Sequence, residues 1–187
     1  EAAVFAPERT LLGQRQERWL RNGLSSGTAR WNLIAQQVMM MGITRRMAPN
    51  AEPICSMDTW TGYRAARERL LSHIRGGAQK NVIVVGGDAH RHFAGDLIAE
   101  GGDAPVAGEY HVTSISSGGD GTYEADDYVR SLGLGDNDFL KTTINKRGYL
   151  LCNVTSAEWR GELKVIDKVT EKRGAVTTAA AYVTEHG

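Results

Sequence analysis

Apolar positions recur with a helical period in the first part of this chain and with a strand-like period in the last part. In residues 12–24, Leu12, Trp19, Leu20 and Leu24 share one helical face, with Arg and Gln on the other, and Ser25-Ser26-Gly27 ends the run. A second helix is predicted over residues 63–75. Tyr63, Ala66, Leu70, Leu71 and Ile74 form its stripe, Arg64, Arg67, Glu68 and Arg69 fall mostly off it, and Gly76-Gly77 stop it. Between the two helices, residues 31–38 read as a strand running into Met39-Met40-Met41, flexible side chains suited to filling a core beneath a loop. Residues 42–62 are irregular, broken by Pro49, Pro53 and Gly62. The β-branched run 82–85 reads as a buried strand, and further strands are predicted over 106–115, 149–154, 159–169 and 177–183. Glycine-rich sequence at 118–121 and an acidic stretch at 124–138, read as a solvated loop, separate the first two of these four. Residues 1–187 are thus expected to form one α/β or α+β unit.

The chemistry gathers where strand 82–85 ends. Gly86 and Gly87 free the backbone to turn, and the turn delivers Asp88 and His90 together. The crevice beyond the carboxyl ends of parallel strands is where ligands bind, and an oxygen donor beside a nitrogen donor suits a hydrolytic metal centre. Taken alone the pair is equally natural as a cap and its hydrogen-bond partner. Arg91 and His92 lie on the same loop, where each would touch a substrate phosphate, orient a ligand or simply pack. The other histidines fit bland roles: His73 on a helix surface, His111 in a strand facing a neighbour, His186 in the tail. A two-metal hydrolase wants roughly half a dozen ligands. Asp88, His90 and His92 fall short of that count.

Charge and composition narrow the classes. Twenty-two basic residues balance twenty-two acidic ones, so the basic excess of an obligate nucleic-acid binder is missing. No apolar run approaches a membrane span. The two cysteines, Cys55 and Cys152, lack the spacing of a zinc module. The chain starts at Glu1 rather than at methionine, which is expected of a processed or excised piece.

Six segments, in order, resemble the carboxyl-terminal part of the PhoD-type alkaline phosphatases, members of the calcineurin-like metallophosphoesterases. They are Arg9-Thr-Leu-Leu-Gly-Gln-Arg-Gln-Glu-Arg-Trp-Leu20, Trp31-Asn-Leu-Ile-Ala-Gln-Gln-Val38, Asp58-Thr-Trp-Thr-Gly-Tyr63, Gly87-Asp-Ala-His90, Thr113-Ser-Ile-Ser-Ser-Gly-Gly119 and Lys146-Arg-Gly-Tyr149. The resemblance implies an α/β fold, the carboxyl-terminal half of a double-sheet metallophosphoesterase sandwich flanked by helices. It implies metal-dependent hydrolysis of phosphate esters, with iron and calcium as the metals and Asp88 and His90 as catalytic metal ligands. Arg91 and His92 would be substrate-binding. Phosphomonoesters, phosphodiesters and phospholipids, cleaved as by a phospholipase D, are all candidate substrates. The family's earlier metal motifs lie upstream of residue 1, so an amino-terminal fragment of the same precursor would complete the site, and secretion from a bacterium is expected.

Other matched residues have plainer readings. Asp58 to Tyr63 would cap the following helix and pack Trp60 on the core, or wall the pocket. Ser114, Ser116 and Ser117 with Gly118 and Gly119 suit a turn better than an anion cradle, and Arg147 suits a structural clamp. The glycosylation pattern at Asn153-Val-Thr155 falls inside a predicted strand. Two rivals remain: a non-catalytic subunit or interaction module that kept the fold, and a self-contained hydrolase holding one metal with Asp88, His90 and His92.

Overall fold

A computed structural model describes residues 2–77, 80–133 and 135–187. Its helix α1 (Gln14–Ser26) turns Leu24 into the core, and α2 (Arg64–Gly76) buries Ala66, Leu70, Leu71 and Ile74, the stripe read from the sequence. Arg69 of α2 reaches Glu17 of α1 at 2.7 Å, so an ion pair joins the two helices. His73 joins them as well, bridging to Ser25 and to the Arg21 carbonyl.

The strands are β1 (Asn32–Ala35), β2 (Val82–Gly86), β3 (His92–Leu97), β4 (Ala107–His111), β5 (Gly121–Thr122), β6 (Leu140–Val154), β7 (Glu158–Ile166) and β8 (Val176–Glu185), with a short helix α3 (Asp127–Leu132) before β6. They form one mixed sheet ordered β1-β2-β4-β3-β6-β7-β8, with β5 on the side of β6. β1, β2 and β4 are parallel, and every pairing from β4 through β3, β6, β7 and β8 is antiparallel. The sheet curls into a half-barrel flanked by helices. Trp31 beside β1 meets Trp159 of β7 edge-on at 6.1 Å and donates to the Thr155 carbonyl at 2.7 Å, a contact across the curl between its first strand and its last-but-one.

Alternation along the strands feeds two cores. Val82 and Val84 of β2 face α1, α2 and the three methionines, while Ile83 and Val85 face the inner surface lined by Tyr110, Ile144, Trp159, Leu163 and Val165. Met40 and Met41 are fully buried, as core filler should be.

β3 and α3 arise where the sequence reads as loop. β3 carries His92, Gly95 and Asp96, a composition that reads as loop, yet it pairs on both sides. Gly95 has a packing reason, since a Cβ there would lie 2.7 Å from the Met41 sulfur and from the Phe139 carbonyl. α3 sits in the stretch read as a solvated acidic loop. Asp126 caps it by accepting from the Val129 N–H at 2.9 Å.

Candidate functional site

The carboxyl ends of the parallel strands converge on one turn. A Cβ on Gly86 would lie 2.8 Å from Gln36 Nε2, so β2 ends against the segment that follows β1. The Gly87 N–H donates to the Gln37 carbonyl at 3.0 Å, and the Val112 N–H donates to the Gly86 carbonyl at 2.7 Å. Those bonds hold the base of the turn. Asp88 and His90 then adopt φ of 93° and 51°, left-handed conformations that a non-glycine residue takes only at a cost.

That geometry sends neighbouring side chains in opposite directions. Asp88 and His90 are exposed, and among the described residues neither side chain meets a hydrogen-bond or ionic partner. Arg91 and His92 turn inward. Arg91 is 8% exposed, pairs with Asp126 and lies over the Tyr128 ring at 5.1 Å. The Asp126 carboxyl is held below the usual carboxylate range. Burial opposes that shift and is outweighed by the Val129 N–H and the Arg91 guanidinium. His92 is fully buried, with Nε2 on the Lys164 carbonyl at 3.2 Å and Nδ1 accepting from the Thr113 N–H at 3.4 Å. Burial lowers its pKa to about 4, so the ring is neutral. With both nitrogens engaged, it offers no atom to a substrate in this arrangement.

The surrounding matched residues form the frame. Trp60 is buried and donates from Nε1 to Gln36 Oε1 at 3.1 Å, beneath the strand ends, while Asp58 is exposed beside Ser56. Neither Asp58 nor Thr59 caps α2 with its side chain, because a 3-10 turn over Trp60–Tyr63 leads straight into that helix. Arg147 is 2% exposed and grips the loop that follows β4, donating to the Ser117 carbonyl at 2.7 Å and to Ser114 Oγ at 3.4 Å. A Cβ on Gly118 would lie 2.9 Å from that guanidinium, so the glycines admit the clamp. Cys55 and Cys152 are free thiols.

Two residues at the site escaped the sequence reading. His111, at the end of β4, accepts from the Ala89 N–H through Nε2 at 3.2 Å, inside the Asp-x-His turn itself. Asp126 anchors Arg91. The Asp126-Asp127 pair before an apolar residue was the available signal, an N-cap followed by an acidic first turn, whereas nothing in the sequence pairs His111 with Ala89.

A carboxylate and an imidazole without protein partners fit a cation, but two ligands do not make a complete shell. Among the described residues no group of three or more His, Cys, Asp or Glu side chains is placed to hold a metal ion.

Known proteins share this fold. Residues 1–163 match the family model for PhoD-like phosphatase. Alkaline phosphatase D of Bacillus subtilis (strain 168) is 39% identical over 180 residues, which is 95% of this chain and 30% of that protein. A solved structure of PhoD superposes with a TM-score of 0.88 at 36% identity, covering 100% of this chain and 35% of that one. The chain therefore spans about a third of the length of these relatives. Because the family model covers residues 1–163 of the 187, this chain belongs to the PhoD-like phosphatases.

Proposed function

We propose that this chain is the carboxyl-terminal part of a metal-dependent phosphoesterase, with Asp88 and His90 supplying metal ligands from one wall of the site. The observation that carries the reading is the turn itself. A PhoD-like chain holds two donor side chains in strained conformations, exposed and unsatisfied by other described residues, where an α/β sheet binds its ligands. Bound metal would supply positive charge to the phosphoryl oxygens and activate water for attack. Iron and calcium are the metals proposed, following the family.

The chain's own residues do the rest. Asp88 and His90 hold the cation at the strand end. Arg91, the other residue proposed to meet substrate, turns inward with one guanidinium nitrogen on Asp126, so its part is to steady the loop behind the ligands, and a phosphate contact would require its side chain to swing outward. His92 orients the loop from beneath through its bonds to Lys164 and Thr113. The remaining ligands come from the part of the protein amino-terminal to these residues, consistent with the 30% coverage of the relative. A self-contained site with His92 as third ligand lacks a free nitrogen on that ring. No helix is long and apolar enough to cross a membrane among the described residues. Export from a bacterial cell belongs to the proposal, following the family.

The test uses the full-length protein. A phosphomonoester, a soluble phosphodiester and a phosphatidylcholine dispersion are assayed before and after chelation and after metal restoration. Loss on chelation and recovery with metal are expected, and the preferred ester identifies the substrate class. Undiminished hydrolysis in excess chelator would overturn the metal dependence, and no hydrolysis of any ester by the metal-replete protein would leave the non-catalytic module as the better reading.

A further inference from the structure

His111 occupies an odd position for a core residue. It is 1% exposed and packs edge-on against Phe93 at 5.7 Å, in a site where a phenylalanine or leucine would bury without polar cost. Its Nε2 accepts from the Ala89 N–H at 3.2 Å, which places the ring proton on Nδ1. Nδ1 is buried, and no described residue accepts from it. The imidazole therefore carries an unsatisfied N–H in exchange for one acceptor, and that acceptor serves the residue between Asp88 and His90.

The donor is as telling as the acceptor. Asp88 and His90 both hold left-handed φ angles, so the turn relaxes readily unless something fixes its middle. Gly87 is tied to Gln37 below the turn, and the Ala89 N–H is tied to His111 at its centre. Resting on the proposed metal-binding role of Asp88 and His90, we infer that His111 is a positioning residue. It pins the Ala89 amide so that the carboxylate and the imidazole on either side stand in the geometry a metal requires before any metal arrives.

The experiment compares full-length wild type, His111→Phe and His111→Gln. His111→Leu serves in place of His111→Phe if the larger ring disturbs the fold, as judged by thermal unfolding. Glutamine keeps an acceptor near the Nε2 position and phenylalanine removes it. Two readouts are taken: hydrogen exchange of the 87–91 segment in metal-stripped protein, and the rate at which the purified protein loses iron and calcium to excess EDTA. In the apolar variant, Ala89 is expected to exchange about tenfold or more faster and metal to leave about tenfold or more faster, the scale on which residues supporting metal ligands act. Glutamine should restore both to within about threefold of wild type, a rescue that simple core filling would not produce. Unchanged exchange in the apolar variant overturns the inference. So does faster exchange with unchanged metal loss, and that result leaves Asp88 and His90 as ligands. A wild-type protein that holds no metal overturns both this inference and the reading beneath it.

Discussion

The parallel wall of β1, β2 and β4 and the antiparallel wall of β6, β7 and β8 are built by the same alternation but end differently. Between β6 and β7 the chain returns at once, and its turn satisfies itself: Thr155 N–H donates to the Glu158 carbonyl at 2.9 Å and Glu158 N–H to Thr155 Oγ1 at 3.0 Å. β2 cannot turn straight back onto a neighbour, because both its neighbours, β1 and β4, run parallel to it. Its carboxyl end is left with polar side chains that the fold does not use. Asp88 and His90 are those side chains. Chemistry thus settles where topology leaves strand ends open, while the antiparallel wall supplies rigidity and reaches the site through the His92–Ile144 pairing, Arg147 and the Lys164 carbonyl.

The sharpest break of this comparison is at the turn. Asp88→Asn and His90→Ala in the full-length protein should each lower turnover by roughly a thousandfold or more, because a lost ligand removes charge and water activation together. In metal-stripped protein thermal stability should change little, since neither side chain has a partner among the described residues. Near-normal rate with normal metal content in either variant would remove the site from this wall.

The opposite pattern is expected across the sheet. Leu163 of β7 is fully buried in the inner core, and Leu163→Ala should cost roughly 2–5 kcal/mol of stability through lost burial and a residual cavity. Per folded molecule, turnover should stay near that of wild type. If denaturant titration shows the loss but the folded fraction is also inactive, the two walls are not functionally separable.

How much of this was legible beforehand follows the same division. Both long helices lie close to where they were expected, at Gln14–Ser26 for 12–24 and Arg64–Gly76 for 63–75, and α2 buries its whole apolar stripe except the half-buried Tyr63. In α1 only Leu24 and, in part, Leu20 pack inward, because Leu12 precedes the helix and Trp19 is 70% exposed, its place toward the core taken by Glu17, which pairs with Arg69. β2 was readable because a strand buried on both faces is continuously apolar. β1 stops at Ala35, short of the expected 38, because the Gln36 side chain accepts from the Val38 N–H and turns the chain. β6 begins at Leu140, nine residues before the expected 149, where Lys141, Thr142, Thr143, Asn145 and Lys146 hide a strand whose polar groups find partners such as Asp96 and the Asp167 carbonyl. β3 and α3 were missed because tertiary packing overrides local composition. Of the site, the strand-end turn could be read from its glycines. The opposite directions of His90 and His92 could not, since they depend on two left-handed residues that sequence does not announce.

A buried charge sharpens the comparison through pH. Glu109 of β4 lies beneath the parallel wall, its carboxylate accepting from the Met40 and Met41 N–H groups at 2.8 and 2.5 Å, with Arg67 nearby. Burial raises its pKa to about 7 despite those donors. The folded state therefore holds this proton more tightly than the unfolded chain, whose carboxyl titrates near 4.5. The resulting stability is fully present below about 4.5 and is lost as pH rises through about 7. Over that window the stability of wild type relative to Glu109→Gln should fall by on the order of 3 kcal/mol. A pH-independent difference between the two proteins would show that the donors, rather than burial, govern this carboxyl.

The smallest effect tests whether the turn stores strain. At φ 93° Asp88 occupies backbone space that glycine enters without penalty. Asp88→Gly therefore removes a ligand and a strain together, against the added conformational entropy of the unfolded chain. The strain of a non-glycine residue there, on the order of 1–3 kcal/mol, exceeds the entropy term of roughly 0.5–1 kcal/mol. A net gain of about 1 kcal/mol in metal-stripped protein is expected, with turnover as low as in Asp88→Asn. Metal-stripped protein matters because bound metal would stabilise only the chain that keeps its carboxylate. A stability loss in Asp88→Gly would mean that the turn is relaxed as it stands. The donor pair would then owe its geometry to the loop sequence alone, and pinning by His111 would be the weaker account of why Asp88 and His90 face outward.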